Sequence, residues 1–208
     1  MRAEHGPLLA GIDEVGRGPL AGPVVACAIV MPPPEMRRAI AGVDDSKRLD
    51  AAERARLCAR ILERALAVGL GAASVREIEA RNIFHATVLA MQRALARCAA
   101  QLTRDGHGDI HHVLVDGLAL RTLGVPHTAV VQGDARCYAI ACASIVAKVT
   151  RDRLMTRLAA RYPAYAWQQN AGYGTAAHRA AVVRTGLTAH HRRSFCRAII
   201  PDPSIPLD

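Results

Sequence analysis

The chain has 208 residues, 51% of them apolar, and a formal net charge of +9. We expect a single domain over residues 1–208, because this length and apolar content suffice to bury one substantial core. No apolar run approaches the roughly 18 residues that a membrane span needs, and the polar N-terminus is too short for a signal peptide.

Apolar runs bounded by turn residues predict five strands. These cover residues 8–13, 23–31, 67–73, 111–115 and 127–131. The first two are joined by a glycine-rich turn, which favours an antiparallel pair. The later strands alternate with helical patterns, so the chain as a whole predicts a mixed α/β sheet with helices packed on it.

The helical patterns have recognisable beginnings and ends. Ser-x-x-Glu from Ser74 and Asp-x-x-Glu from Asp50 have the form of a capping box, and each precedes a helical pattern of about 18 to 25 residues. A long helix is predicted over about 135–160. A shorter helix is predicted over 176–185, where Gly186 would end it.

The positive charge is concentrated near the C-terminus. Residues 135–198 hold 11 Lys and Arg against one acid, Asp152, and five of the seven aromatic residues follow residue 160. Basic residues interleaved with aromatic rings favour a nucleic-acid surface, although an arginine-rich solvated helix would show the same charge. The expected layout is an α/β core, a basic helical segment and a mobile tail, at about 8–160, 161–198 and 199–208.

The cysteines indicate a reducing compartment. They are Cys27, Cys58, Cys98, Cys137, Cys142 and Cys196. They form no Cys-x-x-Cys pair and stand mostly in apolar stretches, which is typical of core-packed thiols and not of a zinc site or a disulfide framework. We therefore expect a cytoplasmic protein.

Acidic residues follow the predicted strands. Asp13, Asp116 and Asp134 each stand at a strand's C-terminal end beside a glycine, and ligands of open α/β sheets bind at that edge. With Glu14 they would make four neighbouring carboxylates, which raise each other's pKa unless divalent metal keeps them ionised. All-oxygen ligation selects Mg²⁺ or Mn²⁺ over Zn²⁺.

Each acid also has a simpler interpretation. Neighbouring strand residues point to opposite faces, so Glu14 reaches the same site as Asp13 only if the strand breaks there, and it is otherwise a surface residue. Asp134 is a candidate N-cap of the long helix. Asp116-Gly117 is a candidate ordinary turn.

The loop Gly16-Arg17-Gly18 directly follows the first acidic pair. Glycines on both sides of an arginine let bare backbone approach an anionic ligand, although a polar hairpin turn has the same composition. A dinucleotide-binding loop is disfavoured, because such a loop opens a helix and here a strand pattern follows. A non-catalytic nucleic-acid-binding protein is the remaining alternative, but it leaves the strand-end acids unexplained.

Together these motifs resemble type 2 ribonuclease H, the bacterial ribonuclease HII family. The matching segments run in family order as GIDEVGRGPLAGPV from Gly11, DDSKRL from Asp44, VDG from Val115, GD from Gly133, ASIVAKVTRDR from Ala143, GYGTxxH from Gly172 and HRRSF from His191. Several are long and compositionally unusual, and they cover nearly the whole chain. The resemblance implies a ribonuclease H-like mixed five-stranded sheet flanked by helices, with a small C-terminal helical appendage.

The resemblance also assigns roles to residues of this chain. It implies active-site carboxylates and metal ligands at Asp13, Glu14, Asp116 and Asp134. It implies readers of the ribose 2′-OH, a group that distinguishes RNA from DNA, at Gly16, Arg17, Gly18 and Tyr173. It implies further substrate or scaffold contacts at Ser46, Lys47, Lys148, Arg192 and Arg193. Asp152 stands one helical turn after Lys148, so we predict an ion pair between them.

The implied activity is two-metal hydrolysis of RNA in RNA/DNA hybrids, and nicking on the 5′ side of ribonucleotides embedded in duplex DNA. The implied cofactor is Mn²⁺ or Mg²⁺ with no organic cofactor, and the implied role is ribonucleotide removal in DNA repair. The sequence does not specify an oligomeric state, and a monomer is our default expectation. Two departures concern only phosphate contacts: residues 167–171 lack the family's frequent His-Lys, and Gln132 replaces a frequent basic residue. Only a dozen residues precede Asp13, which favours type 2 over type 3.

Overall fold

A computed structural model describes residues 8–33, 39–43 and 49–200. Its centre is a five-stranded sheet in the order β3-β2-β1-β4-β5. The strands are β1 (Leu9–Val15), β2 (Val24–Val30), β3 (Ala67–Ala73), β4 (His112–Asp116) and β5 (His127–Val130). All five lie within two residues of their predicted positions at each end.

The sheet is mixed. β1 pairs antiparallel with β2 as far as Val15 opposite Val25, which confirms the predicted hairpin. On its other side β1 runs parallel to β4, and this pairing stops at Ile12 opposite Val115. The sheet therefore opens between β1 and β4 directly after these residues, at the carboxyl ends of both strands.

The described ranges also contain seven α-helices and one 3₁₀ helix. They are α1 (Ala51–Arg64), α2 (Val75–Arg104), α3 (Gly133–Arg136), α4 (Tyr138–Arg161), the 3₁₀ helix Pro163–Tyr165, α5 (Trp167–Asn170), α6 (Ala176–Thr185) and α7 (Arg193–Cys196). Asp50 caps α1 and Ser74 caps α2, the latter with a complete capping box. Gly186 ends α6 as predicted. Within these ranges no helix has both the length and the apolarity to cross a membrane.

Helices cover both faces of the sheet, so β2 is buried along its whole length. One apolar core lies between the sheet and α2, with Val24 and Met91 among its members, and a second includes Ile29 and residues of α1 and α4. α4 packs tightly against β1 at Gly11, where a Cβ would lie 2.4 Å from a backbone carbon of Ala139. This contact fixes α4 against the strand that carries Asp13.

Two predicted helices are wrong in detail. The long helix expected over 135–160 is two helices, because Cys137 is extended (φ −131°) between α3 and α4. α2 is likewise broken by Asn82 at φ 65°. In the expected tail 199–208, Ile199 and Ile200 pack against the cluster that contains Trp167, while residues 201–208 lie outside the described ranges.

The prediction that the cysteines are mostly core-packed thiols is confirmed. All six cysteines are free thiols, and all except Cys137 are buried. Burial raises the pKa of Cys98 and of Cys196 to about 11, which keeps both sulfurs protonated and unreactive at neutral pH.

Candidate active site

Two strand-end carboxylates face the opening of the sheet. Asp13 and Asp116 come directly after the last residues that pair β1 with β4, because these two strands are parallel and in register. Asp13 is only 6% exposed, and its Oδ1 accepts a hydrogen bond from the Glu14 N–H at 2.7 Å. The predicted convergence of acids at this edge therefore follows from the register of the sheet.

The Asp13 carboxylate is buried and lies near two other acidic side chains, Glu14 and Asp116. Burial, together with the charges of Glu14 and Asp116, raises the pKa of Asp13 to about 7, against the opposing effect of a hydrogen bond with Ser144. Desolvation is the largest cause. Without a compensating cation, this carboxyl group is thus close to half protonated at neutral pH.

Glu14 stands within β1, paired with Ala26 of β2. The expectation that the strand breaks at Glu14 is therefore wrong for the pairing of β1 with β2, which continues through this residue. Only the pairing of β1 with β4 ends before Glu14. Burial raises the pKa of Glu14, with a contribution from Asp116, whereas Arg17 lowers it. The Arg17 Nη1 lies 3.3 Å from Glu14 Oε1.

Asp116 and Asp134 are connected through the backbone. The N–H of Gly133 donates to Asp116 Oδ1 at 2.6 Å, and Asp134 is the next residue, 8% exposed within α3. Gln132, at φ 54°, makes the turn into this short helix. The N-cap of the long helix α4 is Cys137, so the interpretation of Asp134 as that cap is wrong.

Two clefts open on either side of Glu14. The first, of about 390 Å³, is lined by Glu14 and by side chains of the C-terminal half that include Asp134, Ser144, Lys148 and Tyr173. The second, of about 360 Å³, is lined by Glu14, Arg17, Phe84, Asp116 and Leu118 among others. Among the residues that the structure describes, Glu14 is the one that lines both clefts. All four predicted carboxylates therefore lie at or beside one edge of the sheet.

The carboxylates suit a divalent cation in their chemistry. Within the described ranges, no three His, Cys, Asp or Glu side chains already surround a point that could hold an ion. The charges of Glu14 and Asp116 nevertheless raise the pKa of Asp13, and the charge of Asp116 raises the pKa of Glu14. All the donors of these three side chains are oxygen atoms, which Mg²⁺ and Mn²⁺ prefer. A bound cation would remove the repulsion, so the donor set fits such an ion once the side chains turn toward it.

The glycine loop next to Glu14 packs tightly against Arg151 at Gly16. Gly16 has φ 95°, and a Cβ there would lie 2.2 Å from Arg151 Nε, so packing and backbone conformation both require glycine. Gly18 differs, because its Cβ would meet only the Tyr173 ring, at 4.0 Å. Within the described residues nothing in the packing requires glycine at position 18, and the free space faces Tyr173.

Of the two roles expected for Arg192, substrate contact or scaffold contact, its surroundings support the scaffold contact. Its side chain is fully buried and donates to the carbonyl oxygens of Gly16, Arg17 and Gly22 at 2.6 to 3.0 Å. Arg192 is therefore a scaffold residue that shapes the loop, and it has no route to a phosphate. Arg193, the next residue, is exposed.

The remaining predicted contacts have different outcomes. Lys148 lines the first cleft, and its Nζ lies 2.8 Å from Asp152 Oδ1, which confirms the predicted ion pair. Tyr173 is 42% exposed and lines the same cleft. Ser46 and Lys47 lie outside the described residues.

Sequence reasoning missed the structural role of Arg151. This arginine is fully buried and donates to the carbonyls of Ala21, Pro23 and Ala171, which joins the glycine-rich segment to the segment before Tyr173. A signal existed: Ala147, Arg151 and Met155 follow each other at helical spacing on the buried side of α4. A charge within such a stripe indicates a buried scaffold contact.

Solved structures share this fold. Ribonuclease H2 from Pyrococcus horikoshii superposes with a TM-score of 0.75 at 23% identity, covering 92% of this chain and 96% of that chain. Bst-RNase HIII in complex with Mn²⁺ gives a TM-score of 0.67 at 17% identity, covering 92% of this chain and 65% of that one. The mixed five-stranded sheet flanked by helices is therefore the fold of these ribonuclease H structures.

Sequence comparison identifies the family within this class. The chain belongs to the ribonuclease HII family, whose model, Ribonuclease HII, matches residues 10–198. It is 51% identical over 197 residues to the ribonuclease HII of Granulibacter bethesdensis, covering 94% of this chain and 86% of the relative. It is 50% identical to that of Gluconobacter oxydans, covering 94% and 91%.

Family membership decides between the two functional alternatives. The chain is a ribonuclease H, a hydrolase of the RNA strand in RNA/DNA hybrids, and the alternative of a non-catalytic nucleic-acid-binding protein is not supported.

Proposed function

We propose that this ribonuclease cuts on the 5′ side of a ribonucleotide, including a single ribonucleotide embedded in duplex DNA, and leaves 3′-OH and 5′-phosphate ends. The observation that carries the proposal is the position of Asp13 and Asp116 at one sheet opening, with the Gly16–Gly18 loop and Tyr173 beside it. Acids for phosphodiester hydrolysis and backbone for close contact with a sugar are thus neighbours.

Asp13, Glu14, Asp116 and Asp134 would hold Mg²⁺ or Mn²⁺ as the required cofactor. Two such ions, when bound, supply activation of the attacking water and stabilisation of the leaving 3′-oxygen. The chain itself holds Asp13 and Asp116 in position, through the Glu14 N–H and the Gly133 N–H respectively. These bonds orient the carboxylates before any ligand arrives, which lowers the cost of assembling the site.

The substrate would bind across the loop and the basic C-terminal third of the chain. The open space at Gly18 allows a ribose to approach the backbone, and the half-exposed Tyr173 ring stands opposite for the sugar to pack on. Reading the 2′-OH at this point would separate RNA from DNA. Lys148 and Arg193 are the described side chains placed for phosphate contacts, and Ser46 and Lys47 are further candidates.

The test is a labelled DNA duplex that carries one ribonucleotide. We expect a single metal-dependent nick on its 5′ side, lost in the Asp13→Asn variant. Asp109→Asn is the matched control, because Asp109 is an exposed acid ahead of β4, at the opposite edge of the sheet. Cleavage that survives Asp13→Asn would reject the site, and intact duplex in every condition would reject the proposed substrate.

The cellular role that fits this cleavage is ribonucleotide removal in DNA repair. We also propose that the enzyme is cytoplasmic, that it acts as a monomer and that it needs no organic cofactor. Six free cysteines, five of them buried, support a reducing compartment. Size-exclusion chromatography with light scattering tests the monomer directly.

A further inference from the structure

Two histidines outside the carboxylate site form a buried pair. His178, in α6, is fully buried, and His191 is 2% exposed. Their Nε2 atoms lie 3.1 Å apart. The indole Nε1–H of Trp167 also donates to His178 Nε2, at 3.1 Å.

The partners of the two rings assign their tautomers. His178 Nδ1 lies 2.8 Å from the carbonyl oxygen of Tyr173, so this nitrogen carries the proton and donates. His191 Nδ1 accepts from the Thr188 N–H at 3.0 Å, so its proton is on Nε2. Nε2 of His191 therefore donates to His178 Nε2, which accepts from two donors.

This arrangement requires both rings to be neutral. A proton added to His178 Nε2 would face the hydrogens of Trp167 and His191. Burial lowers the pKa of His178. Burial, with the neighbouring His178 and His190, lowers the pKa of His191 to about 4.

The titratable and charged groups around the pair are few. Tyr165 packs its ring edge-on to both histidines, and its hydroxyl donates to the Gly186 carbonyl. His190 packs on Trp167, and burial together with Arg161 lowers the pKa of His190. None of these groups is an anion that would stabilise a protonated pair.

The pair connects three segments that meet at the substrate cleft. His178 holds the backbone of Tyr173. His191 forms a β-bridge with Ala21, inside the glycine-rich segment. The next residue, Arg192, holds the carbonyls of Gly16 and Arg17. The pair thus joins the tyrosine side of the cleft to the loop side.

We propose that His178 is a positioning residue for ribose recognition: its neutral ring, fixed by His191, sets Tyr173 against the Gly16–Gly18 loop, and protonation of the pair releases that setting. This inference rests on the proposed function, because it assumes that Tyr173 and the loop read the ribose. His178 contacts no reacting group and acts through the Tyr173 carbonyl. This positioning role explains why a pair of polar rings is buried here, at a place that apolar side chains could also fill.

A first experiment uses Trp167, the only tryptophan of the chain. Its fluorescence is followed from pH 8 to pH 4, since a protonated imidazole next to an indole quenches it. We expect quenching with a midpoint below the ordinary histidine value of about 6.5, the same midpoint in His190→Gln, and none in His178→Phe. A midpoint that moves or vanishes in His190→Gln would assign the signal to His190 and overturn the neutral pair.

A second experiment measures binding without divalent metal, so that no cleavage occurs. The readout is the ratio of affinities for a duplex with one ribonucleotide and for the all-DNA duplex. We expect His178→Phe to lower this ratio about tenfold, the equivalent of one hydrogen bond, with unchanged affinity for DNA. His178→Asn keeps a donor for the Tyr173 carbonyl and should retain most of the discrimination.

The outcomes separate the two proposals. A wild-type protein that does not distinguish the duplexes contradicts the proposed function. A wild-type protein that does, together with a His178→Phe variant that distinguishes them equally well, contradicts the positioning role alone. If His178→Phe does not fold, the wild-type protein provides the test. Its ratio of affinities for the two duplexes must decrease as the pH is lowered, in parallel with the Trp167 fluorescence. A ratio that stays constant overturns the inference.

Discussion

The Asp116 carboxylate accepts a hydrogen bond of 2.6 Å from the backbone of Gly133, and this contact fixes the end of β4 relative to Asp134 in α3. A Cβ at Gly133 would lie 2.6 Å from Ile140 Cδ1 and 3.1 Å from Asp116 Oδ1. Two of the four acids are therefore positioned through a residue that has no functional group of its own.

Gly133→Ala should displace Asp116 and lower kcat for cleavage of a ribonucleotide-containing duplex by about tenfold, since small displacements of a catalytic group are costly. Ile140→Val in the same chain removes the Cδ1 atom that the new methyl group meets. The double variant should regain stability to urea while cleavage stays low. Equal recovery of stability and cleavage would contradict a specific effect on Asp116.

The two glycines that flank Arg17 should respond differently to alanine. Gly16→Ala meets Arg151 at a positive φ and should lower the free energy of unfolding by about 1–3 kcal/mol. Gly18→Ala has room for its methyl group, so stability should change by less than about 0.5 kcal/mol while cleavage falls sharply. Urea denaturation and initial cleavage rates test both, and full activity in Gly18→Ala would remove the loop from substrate recognition.

Arg192 and Arg193 form a matched pair of neighbours with opposite environments. Arg192→Ala leaves the buried carbonyls of Gly16, Arg17 and Gly22 without their donor and should cost about 3 kcal/mol of unfolding free energy. Arg193→Ala, at an exposed position, should change stability by less than about 0.5 kcal/mol and weaken duplex binding at low salt. A stable Arg192→Ala protein with weakened binding would restore the substrate role that its burial contradicts.

Metal binding should depend on pH through Asp13. Its pKa of about 7 in the absence of metal means that a cation must displace a proton below that pH. The apparent Mn²⁺ affinity in calorimetry should therefore fall by up to about tenfold per pH unit as the pH drops from 7 to 5, and level off above about pH 8. Asp13→Asn should weaken binding and reduce this dependence, and a pH-independent affinity in the wild type would contradict the raised pKa.

Local sequence determined most of the fold. The capping sequence at Ser74 and the helix stop at Gly186 were predictable because their interactions join residues close in the chain. The break at Cys137 was not, because an apolar helical pattern continues through it.

The acids of the site were also readable from sequence, since each stands where an apolar strand pattern ends beside a glycine. Their mutual distance was not, because it depends on the parallel register of β1 against β4, whose paired residues are 103 positions apart in sequence. The roles of His178, His191 and Arg192 depended entirely on tertiary structure. Outside a helical stripe such as the one that contains Arg151, a charged or titratable side chain carries no sequence mark of burial, and only packing decides whether its partners are water, substrate or the protein's own carbonyl groups.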